Sequence, residues 1–71
     1  MKNQIERIAL AVRARREAFK LTQRQLAELS GVSPRFVFDL EKAKPTIALD
    51  RLTLVLNTLG LEIELRVIDR G

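Results

Sequence analysis

The stretch GVSPRFVFDLEKAKP (Gly31–Pro45) contains the signals of a tight turn, a helix start and a helix end. Gly31 can adopt a left-handed backbone conformation at low steric cost. Ser33 is a favoured N-cap residue, and Pro34 follows at the first helical position, where its missing N–H costs nothing. The segment AKP then ends the helix. The stretch therefore predicts a turn followed by a short capped helix.

A second short helix precedes this turn. Thr22 and Gln25 have the spacing of a capping box, in which the threonine side chain accepts from the third helical amide and the glutamine reaches back. Leu26, Ala27 and Leu29 are expected to face inward, and the helix ends at the sequence SGVS. Two short helices joined by a tight glycine-containing turn are typical of a helix-turn-helix.

Hydrophobic periodicity predicts one further helix on each side, over about Gln4–Phe19 and about Ala48–Leu59. The apolar stripe of the first consists of Ile5, Ile8, Ala9, Val12 and Phe19. Gly60 is the expected C-terminal stop of the last helix. The apolar stripe of that helix consists of Leu49, Leu52, Val55, Leu56 and Leu59.

The segment LEIELRVI (Leu61–Ile68) alternates apolar and charged residues and predicts a half-buried β-strand. Its apolar positions are Leu61, Ile63, Leu65 and Val67. Nothing else in the chain predicts a strand, and a lone strand leaves its backbone groups unpaired. We expect it to pair with the same strand of a second copy, in an antiparallel ribbon across a twofold axis. The alternative is a frayed tail.

The sequence thus predicts an all-α helix-turn-helix domain of about four helices over residues 1–60, with one C-terminal β-strand and a tail over residues 61–71 that pairs across a homodimer. The length of 71 residues fits one domain. Without cysteine or histidine, the chain lacks disulfides, thiolate metal ligands and the commonest general base. We therefore expect no enzyme activity, no metal and no cofactor. No apolar run reaches the roughly 18 residues of a membrane span, and the N-terminus lacks a signal-peptide core. A cytoplasmic protein with no membrane partner is expected.

The charge distribution indicates a partner. The net charge is +4, and residues 1–44 hold ten Lys/Arg against five Asp/Glu, whereas residues 45–71 hold three against four. A basic N-terminal part is typical of a protein that binds a polyanion, although a solvated basic surface has the same composition.

A helical wheel divides the third helix, which runs from Pro34 to Glu41 or Lys42, into a core face and an outer face. Val37 and Leu40 mark the core. The opposite face holds Arg35, Asp39 and Lys42, and its flanks are Pro34 with Phe38 and, on the other side, Phe36. Glu41 lies at the core edge, where it can meet Arg16, a cation on the apolar stripe of the first helix. A buried arginine needs such a partner.

The outer face has the chemistry of a major-groove reader. Arginine can donate two hydrogen bonds to guanine, aspartate can accept from cytosine N4, and an aromatic edge can pack on a thymine methyl. Helix N-termini, Lys42 and Lys44 would add contacts to phosphates. The alternative is an ordinary exposed helix in which Arg35 and Asp39 pair with each other. Phe36 is expected to be a partly buried wedge, whereas the core does not account for Phe38.

The segment LTQRQLAELSGVSPRFVFDLEKAKP resembles the helix-turn-helix of the XRE (Cro/phage-repressor) family, through its TQ, LA, GVS and LE-K positions. The resemblance runs from about Arg13 to Gly60 and implies a lambda-repressor-like fold. With PTIALDRLTLVLNTLGLEIEL added, the layout of one strand directly after the fourth helix is similar to HipB-type antitoxins, the DNA-binding partners of HipA-type Ser/Thr kinase toxins.

The resemblance implies roles for matching positions. Gln23 would touch phosphate and brace the third helix, and Ser33 would contact phosphate while capping it. The base-facing positions are Pro34, Arg35 and Asp39, and the backbone-contacting positions are Phe36 and Lys44. Arg16 and Glu41 match the interior ion pair of the family.

Three positions depart from the family pattern. Ala43 stands where glycine is usual after the recognition helix, and a left-handed alanine there costs on the order of 1 kcal/mol. Pro34 lacks the amide side chain often found at its position, which leaves Arg35 as the main reader. Phe38 stands where a small polar residue is common.

The expected function is that of a homodimeric repressor that binds a palindromic operator in the bacterial cytoplasm and nucleoid. The half-sites would lie about one helical turn, or a multiple, apart. By resemblance, the protein would be an antitoxin that autoregulates a HipBA-like operon and binds a HipA-like kinase. The alternatives are a free-standing XRE repressor from a phage or a restriction-modification system, and a protein-interaction module that reads no DNA. The basic N-terminal part argues against the last.

Overall fold

Four helices form the described part of the chain, residues 3–69, in the computed structural model. Their bounds are α1 Gln4–Ala18, α2 Gln23–Ser30, α3 Pro34–Glu41 and α4 Leu49–Thr58. The four predicted helices are confirmed, with ends that differ by one residue or fewer from those expected. α2 packs against α3 and α4, and α1 packs against α3. None of the described helices is long and apolar enough to cross a membrane. The outermost residues of the predicted domains (1–2 and 70–71) lie outside the described residues.

Side chains cap the first three helices at their N-terminal ends. Thr22 and Gln25 form the predicted capping box, with Gln25 N–H donating to Thr22 Oγ1 at 3.0 Å and Thr22 N–H donating to Gln25 Oε1 at 2.8 Å. Asn3 caps α1 in the same way. Ser33 Oγ accepts from the Phe36 amide at 3.1 Å, and Pro34 occupies the first position of α3. These caps satisfy amides that have no partner within their helix.

A residue in the left-handed backbone conformation follows each of the four helices. These residues are Lys20, Gly31, Ala43 and Gly60. After α3, the Ala43 N–H donates to Leu40 O at 3.0 Å and the Lys44 N–H donates to Asp39 O at 3.1 Å. This is the Schellman pattern, which usually uses glycine at the left-handed position. Ala43 has φ 59°, so the strain expected from the sequence at this position is present.

The core lies between all four helices. Its buried members are Val12, Leu26, Ala27, Val37, Leu40, Leu52, Val55, Leu56 and Leu59. Three residues that were predicted to face inward, Phe19, Leu29 and Leu49, are exposed instead. Each lies within two residues of a helix end. Hydrophobic periodicity therefore does not predict burial at these three positions.

The buried end of α2 is polar rather than apolar. Ser30 is buried, and its hydroxyl donates to Thr58 Oγ1 at 2.9 Å, which in turn donates to Leu54 O. This chain of hydrogen bonds joins α2 to α4 and leaves no buried hydroxyl unsatisfied.

Residues 61–69 have no regular secondary structure, so the predicted strand does not form in the single chain. A strand requires a neighbouring strand for its backbone hydrogen bonds, and residues 3–69 contain none. Leu61 packs partly against the core, and Ile63 is exposed. Leu65 and Val67 are 91% and 100% exposed. The apolar side chains of this segment are therefore exposed after Leu61.

The left-handed turn after α3 generates a stability prediction. Ala43→Gly should raise the free energy of unfolding by about 1 kcal/mol, because glycine tolerates this backbone conformation without a Cβ clash. Ala14→Gly, the same change at an exposed interior position of α1, should lower it by about 1 kcal/mol. Urea denaturation of both variants measures the two changes. Destabilisation of the same size in both variants would show that the left-handed position gives Ala43 no strain.

Candidate nucleic-acid interface

A buried ion pair fixes α3 on α1. The Arg16 guanidinium donates to both oxygens of the Glu41 carboxylate, from Nε at 2.6 Å and from Nη2 at 3.0 Å. The side chains of Arg16 and Glu41 are only 13% and 5% exposed. The third nitrogen, Nη1, donates to Leu21 O at 2.8 Å. The ion pair expected from the helical wheel is therefore present, in the bidentate geometry that is strongest for arginine.

The hydrogen bond with Glu41 has an electrostatic effect on Arg16. It raises the pKa of the Arg16 guanidinium above its ordinary value, and the opposing effect of burial is smaller. Arg16 therefore remains a cation, and its charge is compensated inside the protein.

Gln23, the first residue of α2, joins the same cluster. Its Nε2 donates to Glu41 Oε1 at 3.1 Å, so α2 is tied to the C-terminal end of α3. The bracing role expected of Gln23 thus has a structural counterpart. Glu41 accepts from three nitrogens in total, which satisfies its buried carboxylate and joins three helices at one point.

The outer face of α3 carries a surface ion pair. Arg35 Nε donates to the two oxygens of Asp39 at 3.1 and 3.3 Å, and Lys44 Nζ lies 3.6 Å from Asp39 Oδ2. The side chain of Arg35 is 77% exposed, whereas that of Asp39 is 18% exposed. The pairing of Arg35 with Asp39, the alternative left open by the sequence, is the arrangement observed in the free protein.

The two phenylalanines of α3 have different environments. Phe36 is half-buried and packs against the core, as expected for a wedge. Phe38 is exposed, and its ring lies under two cations, with Arg35 Cζ at 5.7 Å and Lys42 Nζ at 5.1 Å from the ring centroid. Cation–π contacts therefore account for Phe38, which the core could not. Pro34 is exposed beside this face.

A cavity of about 230 Å³ lies between α3 and the start of α4. Its lining includes five predicted site residues, Ser33, Arg35, Phe36, Asp39 and Lys44, together with residues that the sequence did not single out. These additional residues are Thr46, Ile47, Ala48 and Arg51. Arg51 brings a further positive charge to the edge of α3. Only the fold reveals this proximity, because Arg51 belongs to a different helix.

The predicted site residues thus fall into two layers. Arg16, Gln23 and Glu41 form an interior cluster that holds α3 in place. Ser33, Arg35, Asp39 and Lys44 surround the outer face, with Lys42 on Phe38 beside them. The exposed cations and hydrogen-bond donors of this face match phosphates and base edges, which are acceptor-rich. Residues 3–69 contain no group of acidic side chains arranged to hold a metal ion.

Residues 12–65, more than half of the chain, match the helix-turn-helix family. An HTH-type transcriptional regulator, y4mF of Sinorhizobium fredii, is 41% identical over 58 residues, which cover 82% of this chain and 76% of the relative.

Two crystal structures of the clp gene regulator ClgR from Corynebacterium glutamicum have a similar fold, each with a TM-score of 0.73. The first is 32% identical, and the match covers 84% of this chain and 64% of the regulator, slightly less than two thirds of its length. The second is 31% identical, and the match covers 87% of this chain and 80% of the regulator.

The interior cluster generates a stability prediction. Glu41→Ala should lower the free energy of unfolding by about 3–5 kcal/mol, because it leaves the buried Arg16 guanidinium without its counter-charge. Glu17→Ala removes the partner of Arg13 in an exposed pair and should cost less than about 1 kcal/mol. Denaturation in urea compares the two variants. Equal, small losses in both would contradict a buried, structurally necessary pair.

Proposed function

The chain belongs to the XRE-type helix-turn-helix family, and we propose that it is a transcriptional repressor that reads operator DNA with the outer face of α3. The observation that carries this proposal is the exposed Arg35 on a helix whose opposite side is fixed by a buried ion pair. A reader helix needs both properties, since its donors must reach the base edges and its backbone must hold a constant depth in the groove.

The residues around α3 support a division of labour. We assign base contact to Arg35, whose neighbour Pro34 has no donor to offer. Ser33, Lys42 and Lys44 border the exposed face and would contact phosphates. Gln23 would contact phosphate through the second hydrogen of its Nε2, because the first is donated to Glu41.

Phe36 would press its exposed edge on the DNA backbone while its ring anchors α3 to the core. Lys44 and Arg51 add two cations beside α3, where both line the cavity between α3 and the start of α4. These contacts would not depend on the DNA sequence, and they would supply most of the salt-dependent part of the affinity for DNA.

We propose further that two copies bind a palindromic operator as a homodimer. Leu65 and Val67 are almost fully exposed in the single chain, and they belong to the alternating segment that predicts a strand. A cavity of about 370 Å³ beside this segment is lined by Ile8 and Ala11 of α1, by Leu56 of α4, and by residues of the segment itself. Pairing with the same segment of a second copy would cover these apolar side chains and satisfy the backbone.

The finer biological role that we propose is that of an antitoxin. The resemblance of the layout to HipB-type proteins supports it, and a HipA-like Ser/Thr kinase would be the partner. A free-standing repressor is the second candidate, and it is favoured by the names of the relatives, which describe regulators of transcription. A kinase encoded beside this gene that co-purifies with the chain would support the antitoxin role. The absence of a kinase gene beside this gene would favour the free-standing repressor instead.

Operator binding tests the repressor function. Affinity for the DNA upstream of the gene should exceed that for scrambled DNA and should fall steeply with salt. Arg35→Ala should cost about 1–3 kcal/mol of binding free energy and abolish the base preference at one position of each half-site. Arg13→Ala removes an equal charge from the exposed face of α1 and should leave every base preference intact. Equal affinity of the wild-type protein for both DNAs would refute sequence-specific repression.

Sedimentation at micromolar concentration tests the homodimer. Leu65→Asp should shift the protein toward the monomer, because the charge would lie in the apolar side of the strand ribbon. Leu29→Asp introduces the same charge at an exposed leucine of α2 and should leave the dimer unchanged. A Leu65→Asp protein as dimeric as the wild type would exclude this segment from the interface.

A further inference from the structure

We propose that Asp39 is a positioning residue that orients Arg35, and that it does not itself read a base. The pair would act as one guanine-reading unit, with Arg35 as the only side chain of α3 that specifies a base by hydrogen bonding. This inference rests on the proposed function and sharpens it, since a direct reading of cytosine by Asp39 would make two independent readers.

Both carboxylate oxygens of Asp39 face cations in the free protein. Both carboxylate oxygens lie within hydrogen-bond distance of Arg35 Nε, at 3.1 and 3.3 Å, and Oδ2 also faces Lys44 Nζ at 3.6 Å. The side chain is only 18% exposed. The carboxylate is thus mostly covered and directed at Arg35 and Lys44, an arrangement that favours holding Arg35 over accepting from cytosine N4.

The opposite holds for Arg35. Its Nε is bound to Asp39, but the two terminal amines, Nη1 and Nη2, have no hydrogen-bond partner within residues 3–69. Two parallel donors at the end of a guanidinium match the N7 and O6 acceptors of guanine. The contact to Asp39 thus leaves available the part of Arg35 that can read guanine.

Two neighbours hold this arrangement in place. The left-handed Ala43 turns the chain so that Lys44 returns toward α3, where its amide bonds to Asp39 O at 3.1 Å and its ammonium faces the Asp39 carboxylate. The Phe38 ring lies 5.7 Å from Arg35 Cζ, in a cation–π contact with the guanidinium. Lys44 and Phe38 therefore contact the Arg35–Asp39 unit, and Ala43 positions Lys44 for its contact.

The physical effect of the unit is orientation rather than stability. Exposed ion pairs four residues apart in a helix stabilise a protein little, because water screens them and long side chains lose freedom. A free arginine side chain loses that same freedom when it binds DNA. An arginine that is already restrained by Asp39 loses less, and its Nη1 and Nη2 are held in one direction, which favours guanine over bases without two acceptors at that place.

The test measures the base preference at every operator position for the wild-type protein and for four variants: Arg35→Ala, Asp39→Ala, Asp39→Asn and the double Arg35→Ala/Asp39→Ala. A bidentate arginine contact discriminates against the wrong base by about 5- to 150-fold. Arg35→Ala should abolish this preference at one base pair, and Asp39→Ala should reduce it at the same base pair. Asp39→Asn, which keeps one acceptor for Arg35 Nε, should retain an intermediate preference. The double variant should be no less selective than Arg35→Ala alone.

Glu28→Ala, which removes an exposed carboxylate from α2, controls for the loss of negative charge and should change no base preference. Thermal denaturation verifies that each variant is folded. Loss of preference at a second base pair in Asp39→Ala would overturn the positioning role and make Asp39 a reader. Unchanged preferences in Asp39→Ala would overturn it as well. In both cases the repressor function stands, whereas a wild-type protein without any base preference would refute that function itself.

Discussion

Glu41 accepts hydrogen bonds from three side-chain nitrogens at the C-terminal end of α3, two from Arg16 and one from Gln23. Arg16 uses its remaining nitrogen to bind Leu21 O in the turn between α1 and α2. A buried charge of this kind is tolerated only where its partners are complete, because desolvation of an unpaired ion costs more than one hydrogen bond returns. The cluster therefore admits few arrangements of α1, α2 and α3, and it sets the orientation of α3.

The orientation of α3 determines which of its side chains are exposed. Val37 and Leu40 are buried on one side, so Arg35 and Asp39 must lie on the other. The cap of Ser33 fixes the beginning of the helix, and the left-handed Ala43 directs the chain back toward Asp39 at its end. A rigid interior and a polar exterior are thus produced by the same eight-residue helix. The proposed reading of DNA depends on this combination, since a helix that shifted on the core would present its donors at varying depth.

Local signals and periodicity were sufficient to predict most of the fold. The capping box at Thr22, the serine cap of α3 and the left-handed glycines depend on a few neighbouring residues, which the sequence displays directly. The ion pair between Arg16 and Glu41 was foreseeable because a cation on an apolar stripe needs a partner on a facing helix. Helix ends were less predictable: Phe19 and Leu49 continue the apolar stripes of α1 and α4 but are 46% and 64% exposed.

The features that the sequence did not predict depend on contacts between segments that are distant along the chain. Arg15 Nε donates to Leu59 O at 3.0 Å, and thereby holds the end of α4 against α1, although no motif marks either residue. Arg51 approaches α3 only through the packing of α4. The cation–π contacts of Phe38 depend on the side-chain conformations of Arg35 and Lys42, which the sequence does not show. The alternation after Gly60 predicts a strand correctly only if a second chain supplies the partner, and this information lies outside any one chain.

The most direct measurement is a crystal structure of the protein bound to its operator duplex, compared with the free protein. The account predicts that α3 lies in the major groove, that the nitrogen–oxygen contacts of Arg16 with Glu41 remain within about 0.3 Å of their free values of 2.6 and 3.0 Å, and that α3 keeps its place on the core. A complex in which the ion pair opens, or in which α3 lies outside the groove, would contradict it.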